Sequence, residues 1–280
     1  MLKNDLKQIP RSKLRLAMGK SYYSLIRYSL WLSKRRLFAR ERAQEKLPFV
    51  HFRHETILLR QLKDVDMQYQ YNKIINLKIA AQRLDGIVIR PGEVFSYWKL
   101  IGRPSAHKGY VNGMVLNGGK VLPGIGGGLC QMSNLIYWMT LHTPLTVIER
   151  HHHGYDVFPD SNRTQPYGSG ATCFYPYGDL MIHNGTDSSF QLCVRVGETH
   201  LEGEWRCAQP AEYRYEIEER KHEMRSEYWG GFSRHNELYR IVKDLDGNFI
   251  REEFITENHA MMMYSPFLAA GTGERPEYLK

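Results

Sequence analysis

Cys130 is the residue whose surroundings point most directly to chemistry. It follows the run Gly126-Gly127-Gly128-Leu129 and opens a segment in which Leu129, Met132, Ile136, Met139 and Thr143 recur at steps of three and four. That spacing predicts one buried helical face, and Pro144 ends it. A thiol in the first turn of a helix sits among amides without intrahelical partners, at the positive end of the macrodipole. Its thiolate is favoured there, so its pKa is expected to fall toward neutrality. The amides from Gly128 to Gln131 could hold the oxyanion of an acyl-transfer intermediate, with Gly126 and Gly127 allowing close backbone approach. A buried, inert cysteine remains the competing reading. Phosphate binding is disfavoured, because no Gly-Lys-Ser/Thr follows the glycines.

The second chemical cluster is His151-His152-His153, just after a β-branched stretch at 145–150. A strand running back along the preceding helix would bring a histidine toward Cys130. His151 and His153 share one side of an extended segment, and either could act as general base to the thiol. The triplet also fits a polar strand end. His151, His153 and Cys130 are chemically competent zinc ligands, but no closely spaced ligand pair supports a metal. Neither a metal nor another cofactor is expected. Asp156 and Asp160 could orient a histidine, and Arg163 could clamp a substrate carboxylate.

Four elements must position these groups. A helix is predicted from Tyr69 to Leu84, ending at Gly86, followed by a short strand at 87–90 and an extended piece at 94–98. Residues 109–123 read as a strand pair turning at Asn117-Gly118-Gly119-Lys120, which delivers the chain into the glycine loop. Past the histidines come a loop, strands at 171–175 and 190–196, and further strands at 213–217, 237–242 and 249–255. The last two flank a turn at Asp244-Leu245-Asp246-Gly247-Asn248.

The 280 residues are 42% hydrophobic and 24% charged, ordinary for a globular protein, with a net charge of +8. The charge is concentrated at one end: residues 1–46 hold 13 Lys or Arg against three acids, so the remainder is close to neutral. Tyr22, Leu25, Ile26, Leu30 and Trp31 form an apolar face with Lys20, Arg27, Lys34, Arg35 and Arg36 around it. Such an arm can pack its aromatics on the main domain or contact an anionic membrane. No nucleic-acid-binding module accompanies the charge, so no nucleic-acid partner is expected. The four cysteines lack C-x-x-C spacing, and no signal-peptide core is apparent, so a cytoplasmic location is expected, with peripheral membrane contact through the arm as the alternative to its packing on the main domain. The predicted class is α+β: a mixed domain with antiparallel strands around the helix that begins at Cys130, plus a basic helical arm. The expected division is 1–46 for the arm, 47–206 for the main domain and 207–280 for a small antiparallel appendage.

Three stretches together resemble the VanW family. They are Ile89-Arg90-Pro91-Gly92-Glu93-Val94-Phe95-Ser96-Tyr97-Trp98, the run from Gly126 through Cys130-Gln131-Met132-Ser133 to Leu135, and Leu141 to Arg150. The likeness covers roughly Tyr69 to Arg206. The family is named for an accessory protein encoded with vancomycin B-type resistance genes. Some exported relatives are implicated as peptidoglycan L,D-transpeptidases that use the motif cysteine. The resemblance therefore implies a role in glycopeptide resistance and cell-wall metabolism, with a peptidoglycan peptide or precursor as partner. It places the nucleophile at Cys130 and the base at His153, since the position of His151 varies and His152 stands where relatives carry proline or glycine. Ser133, His151 and Arg163 would bind or orient substrate. A non-catalytic module that binds such a peptide is the alternative.

Overall fold

The computed structural model describes residues 12–59, 66–117, 120–157 and 165–265. Arg163, Asp160 and the tip of the 117–120 turn lie outside these residues. Helix α1 (Lys13–Ser33) is followed by strand β1 (Phe49–Ile57), helix α2 (Met67–Leu84) and strands β2 (Ile87–Ile89) and β3 (Val94–Ser96). A short helix α3 (Tyr97–Ile101), hairpin strands β4 (Asn112–Asn117) and β5 (Lys120–Ile125), and helix α4 (Cys130–Leu141) come next. Then follow β6 (Thr146–Glu149), β7 (Tyr155–Asp156), β8 (Met181–His183), β9 (Phe190–Val196), β10 (His200–Cys207), β11 (Arg214–Ser226), β12 (Phe232–Lys243) and β13 (Phe249–Met262). The protein is α+β; its strands pair antiparallel except for β7 beside β13, and an isolated bridge between Phe38 and Val94 is also parallel.

Helix α4 lies against a four-stranded sheet of order β1-β10-β9-β2 and contacts β6. The face anticipated from the three-and-four spacing is the buried one: Leu129, Met132, Ile136, Met139 and Thr143 are all essentially inaccessible. Met139 reaches the sheet where Gly203 has no side chain, because a Cβ there would meet the Met139 methyl at 2.6 Å. Trp205 donates from Nε1 to Thr140 Oγ1 at 3.1 Å, so the largest buried side chain also has its polar atom satisfied.

Helix α2 covers the glycine loop. Asp66 caps it, accepting from the Gln68 amide at 2.8 Å. Its inward face is apolar toward its end (Leu77, Ala80, Leu84) and polar toward its start (Gln70, Lys73, Asn76).

Two local expectations differ from the structure. Trp98 was expected in an extended piece but lies in α3, because Ser96 Oγ caps the Lys99 amide at 3.3 Å and turns the chain into a helix. Residues 171–175 do not form a strand. They run beside α4 with their polar groups taken by Asn134, Ser133 and the His151 carbonyl, and only Phe174 makes an isolated bridge, to Gly178.

The basic arm laces onto the body. Trp31 is buried, Tyr28 stacks edge-on against Tyr175, and Ala39 and Ala43 donate to Val94 and Gly86 carbonyls at 2.9 Å. The face read from the sequence divides, however: Trp31 packs inward while Tyr22, Leu25 and Ile26 remain exposed. Strands β11–β13 form a long meander, joined to the body by β7 and by Arg150, which donates to Thr256 Oγ1 and Asn258 Oδ1 at 3.2 Å.

Candidate functional site

The glycine loop is shaped by steric demand. Gly127 passes so close to Gly113 of β4 that a Cβ on either would lie inside the other's backbone. Gly128 has φ +90 and is covered by the aliphatic stem of Lys73, whose ammonium donates to Gln70 Oε1 at 2.7 Å. Asn76 clamps the loop from above, donating to Gly127 O at 2.9 Å and Val111 O at 3.1 Å and accepting from the Val111 amide at 2.9 Å. The buried Tyr97 hydroxyl donates to Leu129 O at 2.8 Å. Three elements, α2, α3 and β4, thus hold the turn that sets Cys130 at the first residue of α4.

The thiol itself donates to the Cys173 carbonyl at 3.8 Å. Burial pushes its pKa up, and backbone hydrogen bonding at Cys173 and at Cys130 itself offsets this only partly. The resting group is therefore a neutral thiol. This corrects the expectation of an activated thiolate: desolvation outweighs the helix-start field. Cys173, packed beside it, is pushed well above the ordinary thiol value by burial.

Not every amide of the loop is available. Gly126 donates to Val111 O at 3.0 Å, Gly127 to Gly124 O at 3.0 Å, and Gln131 to Gly128 O at 3.1 Å. The Gln131 amide is thus spent inside the first turn, and its side chain anchors β1 through Thr56 Oγ1 and Ile57 O, both at 2.9 Å. Among the described residues, the amides of Gly128, Leu129 and Cys130 have no main-chain acceptor and are the ones able to hold an anion. Ser133 is fully buried. Its hydroxyl bonds Ala171 O at 2.6 Å and lies 3.1 Å from Cys130 O, so it orients the 171–173 segment against the helix.

The histidines sit across that segment. Thr172 donates to His151 O at 2.8 Å and directly precedes Cys173, whose carbonyl receives the Cys130 thiol. The His151 ring is engaged elsewhere, with Nε2 3.0 Å from Glu149 Oε1 and its face tilted on Phe174. His153 is partly buried, which lowers its pKa, and its ring makes no hydrogen bond among the described residues. No histidine lies within hydrogen-bonding distance of the Cys130 sulfur among those residues. Asp156 is bound by Arg234 and by the Tyr264 hydroxyl, at 3.4 and 2.9 Å, and orients no member of the triplet. No group of three or more metal-competent side chains occurs among the described residues.

Glu149 was not singled out in the sequence, yet it is a hub. Its carboxylate takes two bonds from Arg27 Nη2 at 2.5 and 2.7 Å, one from the Asp179 amide at 3.0 Å, and contacts His151. Burial opposes its ionisation, but these partners together hold its pKa below the usual value. Asp179 lies beneath it, fully buried, receiving Ser96 Oγ at 2.5 Å and the Trp98 amide at 2.9 Å; burial pushes it up to about 7. A depression of about 590 Å³ on the β1–β10 face, walled by Arg53, His54, Glu55, Glu202 and Glu204 among others, does not include Cys130.

The family model described as "VanW like protein" matches residues 72–206, a stretch that holds the glycine loop, Cys130, the histidines and Glu149. Vancomycin B-type resistance protein VanW of Enterococcus faecalis is 38% identical over 167 residues, 60% of this chain. Residues 72–206 carry the likeness to the VanW family. The uncharacterized protein YoaR of Bacillus subtilis is 28% identical over 112 residues, 39% of this chain. The alignments cover 61% and 34% of these two relatives, less than two thirds of either. No solved structure matches the chain. Helix α1 and strands β11–β13 lie outside the VanW-family match, whereas α2 from residue 72 onward, the hairpin β4–β5 and the loop clamp fall within it.

Proposed function

We propose that the chain acts in glycopeptide resistance and cell-wall peptidoglycan metabolism, as a cysteine acyl-transferase of the L,D-transpeptidase kind that takes a peptidoglycan peptide or its precursor. The observation that carries this reading is a cysteine fixed at the start of α4 beside three amides, Gly128 to Cys130, that have no main-chain acceptor. In the reaction, the Cys130 proton passes to His153 and the sulfur bonds to the acyl carbonyl carbon. The three amides receive the oxyanion, and the C–N bond to the leaving amine breaks as the imidazolium returns its proton. An acceptor amine then attacks the thioester and releases the thiol. The relative's name supports the biological setting.

The raised pKa of Cys130 and its bond to Cys173 O favour a second reading, a module that binds the same peptide without turnover. One experiment separates the two: full-length protein incubated with a stem-peptide donor, followed by intact-mass measurement and calorimetry. A thioester adduct absent from Cys130→Ala supports acyl transfer. Binding without an adduct supports the module, and neither binding nor adduct refutes both.

A further inference from the structure

Helix α1 docks on the body near its C-terminal end and is exposed to solvent along the rest of its length, with Leu16, Tyr23, Ile26 and Tyr28 also open to water. Arg27 and Trp31 are buried on the inner side. Leu14, Met18, Tyr22, Leu25 and Leu32, spaced by four, four, three and seven, fall along the outer side with 61–73% of their surface exposed. A soluble helix with its inner face already docked has no need of five large apolar groups in a row on the other. The stretch is also one-signed: between Ser12 and Arg40 there are eight Lys or Arg and no Asp or Glu. Among the described residues, Arg27 alone of these pairs with an acid, the half-buried Glu149.

We propose that α1 lies flat on an anionic lipid surface, burying the Leu14–Leu32 stripe at the headgroup boundary while cations of the same acid-free stretch, Arg15 nearest the stripe, reach out to lipid phosphates. Charge complementarity selects this occupant. A second copy would set one acid-free cationic helix against another, and a nucleic acid would satisfy the cations but leave the stripe wet. No helix among the described residues is long and apolar enough to cross a membrane, which fits a helix that lies on the bilayer. The inner face is tied to β6 through Arg27–Glu149, so binding would fix the orientation of the VanW-like domain relative to the membrane. The inference rests on α1 alone and is independent of the acyl-transfer reading.

The test is co-sedimentation of the full chain with vesicles of phosphatidylcholine containing about 30% phosphatidylglycerol, against phosphatidylcholine alone. Wild type is expected to pellet with the anionic vesicles and to be released as salt rises. The variant L25D/L32D changes only exposed positions, and an unchanged melting temperature would verify its fold. It should bind at least about 30-fold more weakly, given the transfer value of two leucines. The variant K13Q/R15Q/K20Q should lose about fivefold per charge on anionic vesicles. Failure of wild type to pellet would overturn the proposal. So would undiminished binding by L25D/L32D, or a solution dimer that L25D/L32D dissociates.

Discussion

Replacing Arg27 by alanine tests whether one ion pair ties the arm to the candidate site. The Arg27 side chain is 8% exposed and that of Glu149 23%, so the pair lies mostly out of water. Besides its two bonds to the carboxylate, Arg27 donates to Tyr177 O at 2.8 Å. Removing one member of a buried pair typically costs about 3–5 kcal/mol, because the other charge is stranded. Glu149 would keep the Asp179 amide, His151 and some solvent, so the expected cost is about 2–4 kcal/mol at pH 7. The cost should depend on pH. The folded pKa of Glu149 is depressed, so its stabilising contribution is complete above the unfolded carboxylate value and is lost as pH falls through the folded one. The Arg27→Ala penalty should therefore shrink below about pH 4. Urea unfolding of wild type, R27A, E149Q and the double variant at pH 7 and pH 3.5 measures both effects. A penalty under about 0.5 kcal/mol at pH 7, or one that persists undiminished in acid, would refute the reasoning.

Other expectations follow from the same geometry. Site-resolved alkylation of Cys130 by iodoacetamide at pH 7 should be at least about tenfold slower than for a free thiol, since burial raises its pKa; an equal rate would show the sulfur to be open. His142 stacks on Phe52 at 3.9 Å and is held neutral, with a pKa lowered to about 4 chiefly by burial. Stability should fall by about 3 kcal/mol as pH drops from 6.5 to 4, and His142→Phe should flatten that part of the melting-temperature profile. Gly127→Ala should cost about 3 kcal/mol or more, because the obstacle is the Gly113 backbone, while Gly154→Ala, with open space around it, should be neutral by thermal melting. If acyl transfer occurs, His153→Gln should abolish adduct formation without changing the melting temperature, whereas His151→Gln should lower it by loosening Glu149.

Local patterns were legible where the chain's own period carried the information. The buried face of α4 follows from its three-and-four spacing, and the hairpin β4–β5 and the turn at Asp244–Asn248 follow from their composition. The polar half of the α2 inner face was also present in the spacing of Gln70, Lys73 and Asn76 with Leu77 and Ala80. It was hidden because polar residues do not register in an apolar count. Residues 171–175 look β-like in composition yet have no partner strand, because side chains from α4 take their polar groups. Glu149 could not be recognised as a hub, since Arg27 lies 122 residues away in sequence. The state of the Cys130 thiol was misjudged for a related reason: a helix-start field is local, while desolvation is set by whatever the rest of the chain places overhead.

The neutral state of the Cys130 thiol constrains how the site works. A thiol that donates to a carbonyl is stable in the resting protein, and ionising it costs both that bond and the desolvation of a new charge. Acyl transfer at Cys130 therefore requires a change on substrate binding that supplies an acceptor for the proton and donors for the developing anion. The donors are already set, since the loop that carries Gly128, Leu129 and Cys130 is clamped by Asn76, Tyr97 and the contact with Gly113. The proton acceptor is the part left to move. His151 is committed to Glu149 and Phe174, so recruiting it would take one partner from the carboxylate that holds Arg27. His153 has a partly buried ring, a lowered pKa that keeps it neutral and able to accept, and no hydrogen bond to give up among the described residues. A rigid oxyanion cradle combined with an uncommitted imidazole is the division of labour expected if the peptide itself, on binding, brings base and thiol together.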